Sequence, residues 1–166
     1  MKEYDCYRIY VAYPENWLLE ESAMESADGS LVLSNGSGAF WLLKKYPFGT
    51  NPDDIAKEAV DAMLSEYGDI EIERFDKVLS SGRAVSGFDM TFFYLDLMNT
   101  AKVYCFEQDS QTMAVFWQTG NQLVINQDEE ISLEDVLEAV THSFFVGKRQ
   151  EHHSHKHTPG HYCDCC

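Results

Sequence analysis

The residues best equipped for chemistry crowd the C-terminus: His152-His153-Ser154-His155-Lys156-His157, then Thr158-Pro159-Gly160, then His161-Tyr162-Cys163-Asp164-Cys165-Cys166. Five imidazoles and three thiols in so short a run form the ligand set that zinc, copper and nickel favour, and the Pro-Gly pair can fold the two halves towards one ion. His152, His153, His155, His157, His161, Cys163, Cys165 and Cys166 are therefore the candidate metal ligands. Their spacing departs from a structural zinc finger, which sets paired ligands about two to four residues apart on two knuckles. The thiols of Cys163, Cys165 and Cys166 stand too close together for such a knuckle, which predicts an adaptable soft-metal site. The rival readings are a polar tail with incidental affinity and a purification tag; the irregular histidine spacing and the cysteines argue against a simple tag.

The rest of the chain offers less. No Gly-x-Ser-x-Gly elbow, phosphate-binding loop or dinucleotide fingerprint occurs, so no catalytic residue and no organic cofactor is indicated. His142 sits beside Ser143, but neighbours on a helix point in different directions, so His142 reads as a surface or capping residue. Asn35-Gly36-Ser37-Gly38 joins two strands rather than opening a helix, and lacks the dipole that a phosphate cradle uses. The acid groups Asp53-Asp54, Asp128-Glu129-Glu130 and Glu134-Asp135 lie at or before helix starts, where the dipole accounts for them. Trp41, Trp117 and Phe116 at strand spacing read as core ahead of a ligand groove.

Those residues must be positioned by a mixed set of elements. Tyr7 to Tyr13 predicts a strand closed by Pro14, and Leu31–Leu33 with Ala39–Leu43 predicts a hairpin. Asn51-Pro52-Asp53-Asp54 announces a helix running to Tyr67 and stopping at Gly68, with Ile55, Ala59, Met63 and Tyr67 on its apolar stripe beside Val60 and Leu64. Ile70–Leu79, Arg83–Leu97, Lys102–Glu107 and Thr112–Gln118 predict an antiparallel meander, with turns at Ser80-Ser81-Gly82, Asn99-Thr100 and Gln108 to Gln111. In the longest strand Phe88, Met90, Phe92 and Tyr94 share one face while Phe93 and Leu95 extend from the other, so the sheet is expected to be covered on both sides along part of its length. A last helix starts at Ser132, with Asp135 completing an approximate capping box, and its stripe of Leu133, Val136, Leu137, Val140 and Phe144 faces inward. The apolar pattern ends at Gly147, which divides the chain into a folded domain, 1–147, and a His/Cys-rich metal-binding tail, 148–166, flexible without metal.

Length and charge set the limits. With 166 residues the chain can bury a core without help from metal or disulfides. Its 28 acids against 12 bases give a formal charge of -16, which repels phosphate backbones and anionic lipid, so nucleic acid and membrane are excluded as partners and a cationic protein surface or a metal cation fits. Met1 to Asp5 lacks the basic stretch and apolar run of a signal peptide, and Cys6 and Cys105 stand apart from the terminal thiols, a pattern that predicts a reducing, cytoplasmic setting.

The run into Tyr13-Pro14-Glu15-Asn16-Trp17, the helix start at Asn51-Pro52-Asp53, the glycine-bearing strand around Arg83-Ala84-Val85-Ser86-Gly87 and the terminal Ser143-Phe144 together resemble the PsbP-like superfamily, over roughly residues 5 to 146. That superfamily includes the extrinsic photosystem protein, a Ran-binding nuclear import factor, and bacterial members of unknown or chaperone-like role. The resemblance implies an α+β fold, a three-layer α/β/α sandwich with a central antiparallel β-sheet. It implies binding rather than catalysis, so the chain is not expected to be an enzyme, and it transfers no site, because Trp17 and Phe144 are residues that pack a core. Two functions follow: a non-catalytic protein-binding or adaptor domain with a soft-metal-binding tail, or a metal-handling carrier or sensor for zinc, copper or nickel in which the tail is the functional site.

Overall fold

The computed structural model describes residues 1–79, 82–120 and 131–147. Its strands are β1 (Lys2–Cys6), β2 (Ile9–Tyr13), β3 (Leu18–Ser22), β4 (Ser30–Ser34), β5 (Phe40–Tyr46), β6 (Ile70–Val78), β7 (Ala84–Tyr94), β8 (Leu97–Gln108), β9 (Gln111–Gln118) and β10 (Phe145–Val146); its helices are α1 (Pro52–Tyr67) and α2 (Leu133–Ser143). Seven strands form one antiparallel sheet in the order β3-β4-β5-β9-β8-β7-β6, and β1-β2-β10 form a second, small one. Helix α1 covers one face of the large sheet; α2 and the small sheet cover the other. The result is the expected three-layer sandwich.

Period-two alternation explains why both faces are dry. On β7, Val85 joins Tyr104, Phe106, Trp117 and Trp41 in the larger core beneath α2, whereas Met90 and Phe92 join Met63, Ala101 and Val103 in the smaller core beneath α1. Phe93, expected on the opposite face from Phe92, lies there, but at the end of the strand, where it is left 70% exposed. Gly87 has a specific reason to be glycine. A Cβ at this position would stand 2.0 Å from the Val103 carbonyl oxygen and 2.7 Å from Tyr104 Cβ. The bare backbone lets Phe75 and Tyr104, on the strands either side, meet edge to face at 6.4 Å.

The helices cap as the sequence predicts. Asn51 Oδ1 accepts from the Asp53 amide at 2.9 Å, Pro52 opens α1, and the Gly68 amide donates back to Leu64. Ser132 Oγ accepts from the Asp135 amide at 3.1 Å and donates to the Asp135 carboxylate at 2.7 Å, so the acid holds the capping hydroxyl in place. Along α1 the stripe narrows: Ile55, Ala56 and Met63 are buried, while Leu64 is exposed. Phe144 is buried but belongs to the C-cap in extended conformation, not to the helix, and the chain continues from it into β10 against β2.

Three hairpins turn on two residues with positive φ: Tyr7-Arg8, Leu95-Asp96 and Asp109-Ser110. Only the last lies where turn chemistry predicts. The Tyr7–Tyr13 strand therefore begins at Ile9, with Tyr7 in a turn and a further strand, β1, before it. Asn99-Thr100 is not a turn: Asn99 pairs with Phe92 inside the β7–β8 ladder, and its amide donates to the Leu97 carbonyl at 3.0 Å.

Candidate functional site

Charge is distributed unequally between the two faces of the large sheet. On the α2 side, Lys77 of β6 and Lys102 of β8 converge on Glu138 of α2. Lys77 Nζ lies 3.0 Å from Glu138 Oε2, Lys102 bonds the other carboxylate oxygen, and Lys102 also pairs with Asp89 of β7 at 3.3 Å. Aromatic rings wall the cluster: Lys102 Nζ is 5.0 Å from the Phe75 ring and 5.4 Å from Trp117, and Lys77 Nζ is 5.8 Å from Tyr104. Burial alone would raise the Glu138 carboxyl, but hydrogen bonds from Lys102 and Lys77 outweigh it and hold it below the ordinary range. Burial likewise pulls the Lys102 ammonium down, yet Glu138 and Asp89 outweigh it and leave it raised. Both shifts move the groups away from neutrality, the reverse of what proton transfer at neutral pH needs. The cluster ties α2 to the sheet. Tyr104 Oη and Trp117 Nε1, beside it, are buried with no hydrogen-bond partner among the described residues.

The α1 side is open. Asp53, Asp54, Glu58, Asp61 and Glu66 are exposed along the helix, and none of the five makes an ion pair among the described residues. No basic residue occupies the last turn of α1. Asp69 continues the acidic surface past the end of α1; on edge strand β6, Glu71 and Glu73 share the α2-side face of Phe75 and Lys77, and Arg74 lies on the α1-side face. Where α1 ends, Tyr67 meets Tyr94 edge to face at 5.7 Å, which places the acidic surface beside the β7–β8 turn. That turn is apolar and bare: Phe93 is 70% exposed, Tyr94 47%, Leu95 72%, Leu97 45% and Met98 65%. Phe93 pairs with Met98 on the α2 face of the hairpin, and Tyr94 pairs with Leu97 on the α1 face. Alternation places Phe93 opposite Phe92, as found, but carries Leu95 on within the strand, whereas Leu95 stands in the turn, and it does not announce the exposure of either. The signal available was the apolar run Phe92 to Met98, interrupted only by Asp96.

No known family profile matches the sequence, and no curated protein matches it significantly. Solved structures do. The cyanobacterial PsbP (CyanoP) from Synechocystis sp. PCC 6803 superposes with a TM-score of 0.56 at 10% identity, over 87% of this chain and 91% of that one. LpqN of Mycobacterium tuberculosis, a protein involved in cell envelope biogenesis, superposes at 0.51 with 12% identity, over 84% of this chain and 83% of that one. The fold is PsbP-like. At such identities the likeness concerns architecture, not residues at a site.

Within this PsbP-like fold the residues singled out from sequence fall into place or outside view. Trp17, Trp41, Trp117 and Phe144 are buried core, as expected. Trp41 Nε1 donates to Thr141 Oγ1 at 3.1 Å, and that hydroxyl donates to the Leu137 carbonyl at 2.8 Å. His142 is exposed in the last turn of α2, while Ser143 Oγ turns inward, accepting from the Ala12 amide at 2.8 Å and held near the Val140 carbonyl at 2.7 Å. That is a structural serine. Asn35 Oδ1 accepts from the Ser37 and Ala39 amides, so Asn35–Gly38 is a turn. Burial pushes the Cys105 thiol up to about 12, which keeps it an inert neutral group. The eight candidate metal ligands, His152 to Cys166, lie outside the described residues, as do Asp128-Glu129-Glu130. Among the described residues no group of three or more His, Cys, Asp or Glu side chains could hold a metal, and no helix is long and apolar enough to cross a membrane.

Proposed function

We propose that this chain is a non-catalytic protein-binding or adaptor domain that recruits a cationic protein through its acidic α1 side. The observation that carries this reading is the contrast in ion pairing: Glu138 and Asp89 on the α2 side are paired, whereas the five exposed carboxylates on α1, which outnumber that helix's one base, Lys57, make no ion pair among the described residues. Carboxylates left unneutralised cost little in water and raise the encounter rate with a basic surface. The PsbP-like fold of the domain supports binding rather than catalysis.

In the same reading the tail, residues 148–166, is a soft-metal appendage. His152, His153, His155, His157, His161, Cys163, Cys165 and Cys166 would take zinc, copper or nickel in a reducing compartment such as the cytoplasm, where the cysteines stay thiols. A second reading, a metal carrier or sensor whose working part is the tail, is favoured by that ligand density alone. Comparing the full chain with one ending at Gly147 separates the two. Elemental analysis and chelator competition on the reduced protein report the ion, and binding of an isolated partner reports the domain. Retained partner binding by the truncated chain supports the adaptor; a stoichiometric tight ion lost together with all partner binding favours metal handling.

A further inference from the structure

The hairpin end between β7 and β8 departs from what folding alone asks of a sequence. Its five large apolar side chains point to both sides of a two-stranded blade; Tyr94 packs on Tyr67 at the end of α1, while Phe93, Leu95 and Met98 are covered by neither helix and add to no core among the described residues. Its turn is also built from unsuitable residues. Leu95 and Asp96 take φ of 51° and 61°, a conformation that glycine or asparagine adopts readily and leucine does not. A hairpin selected only for stability would carry Asn-Gly at the turn and polar residues beside it.

The surroundings of the blade are of one sign. Asp96 lies in the turn itself; Glu66 and Asp69 flank the end of α1 that touches Tyr94; Glu71 lies on β6 opposite Thr91; and Glu134 of α2 is 3.4 Å from the Thr100 hydroxyl of β8. No lysine, arginine or histidine occurs from residue 91 to 101. A second copy of the chain fits poorly here, since each brings the same acids and a formal charge of -16, and the edge strands β3 and β6 carry Glu20, Glu21, Glu71 and Glu73 against sheet extension.

Building on the protein-binding reading, we propose that the β7–β8 knuckle is the docking element and that it takes a basic amphipathic helix of a partner protein. The helix's apolar face lies on Phe93, Leu95 and Met98 while its flanking lysines or arginines meet Glu71, Asp96 and Glu134, which border the same face. Apolar contact supplies the affinity, and the acidic rim supplies orientation and rate.

The test uses the full chain, uniformly nitrogen-15 labelled, titrated with a leucine/lysine amphipathic peptide of about five helical turns. A peptide of identical composition with its leucines scattered round the helix is the control. At about 0.15 M salt, where long-range attraction is screened, the amphipathic peptide is expected to shift the amides of residues 93–98. The double variant Phe93→Ser, Met98→Ser is expected to weaken binding by about tenfold or more. Both positions are exposed, so the variant should keep the wild-type melting temperature. Shifts confined to α1, with the variant binding like wild type, would overturn the knuckle while sparing the acidic-surface reading. Failure of both peptides to bind even at low salt would overturn both. Binding to phosphatidylcholine vesicles in preference to the peptide would make the knuckle a lipid-inserting element and overturn the partner proposed.

Discussion

The α2 side and the α1 side of the large sheet use the same residue types to opposite ends. Beneath α2, Lys77, Lys102, Asp89 and Glu138 are drawn into one bonded group against Phe75, Tyr104 and Trp117. On α1 the acids face water unpaired, and the adjoining hairpin leaves five large apolar groups bare. Charges bonded to one another beneath a helix hold a fold; charges and apolar groups left open do nothing for it and are available for something else. The comparison can be broken by showing that the paired side tolerates change or that the open side does not.

The largest effect is expected at Gly87. In Gly87→Val, the new Cβ meets the Val103 carbonyl and Tyr104 Cβ, so strands β7 and β8 must part at the centre of the α2 face. A loss of about 3 kcal/mol or more in urea unfolding is expected, because backbone rather than a movable side chain stands in the way. A near-neutral result would show that this face is not tightly packed.

Next is Glu138→Gln, which leaves Lys77 and Lys102 half-buried without their shared carboxylate. Because water reaches the group in part, the expected loss is about 2 kcal/mol at neutral pH, below that of a fully buried pair. The pH dependence fixes the assignment. The Glu138 carboxyl is depressed, so its stabilisation is in force above the ordinary glutamate value of about 4.3 and is lost as pH falls through the lower folded value. The Lys102 ammonium is raised, so its contribution is in force below about 10.4 and is lost as pH climbs through the higher folded value. Chemical denaturation across pH should show wild-type stability falling at both ends, with both limbs flatter in Glu138→Gln.

A smaller loss is expected from Thr141→Val, which keeps the shape but removes the acceptor of Trp41 Nε1 at the meeting of α2 and β5. The buried indole N–H then lacks a partner, which costs about 1–2 kcal/mol in thermal or urea unfolding.

How much of this was legible in the sequence depends on what each residue answers to. The helices were, because Asn51, Pro52 and Ser132 act on their own neighbours through local bonds that any fold would use. The central strands and the two-sided burial of the long strand were, because alternation is a property of the strand itself. The turns at Tyr7-Arg8 and Leu95-Asp96 were not: neither pair has turn chemistry, and cross-strand pairing of Ile9 with Cys6 and of Leu97 with Tyr94 sets their place. Strand β3 was missed because an edge strand with exposed Glu20 and Glu21 carries no apolar pattern to read. The Lys77–Glu138–Lys102 group joins residues up to 61 positions apart in sequence, and no local spacing announces it. The eight candidate ligands of the tail lie outside the described residues and rest on the sequence alone.

The smallest effect on stability sharpens the comparison most. Neutralising the α1 face with Asp54→Asn, Asp61→Asn and Glu66→Gln removes three exposed carboxylates that bond to nothing among the described residues. Unfolding free energy should change by only about 0.5 kcal/mol in total, in the stabilising direction, because relief of like-charge repulsion is the main term. Association with a basic partner should slow, and its salt dependence should flatten, since the removed charges act on encounter rather than on the seated complex. A large loss of stability would mean that these acids hold the fold after all, and the division between a face that builds and a face that binds would collapse.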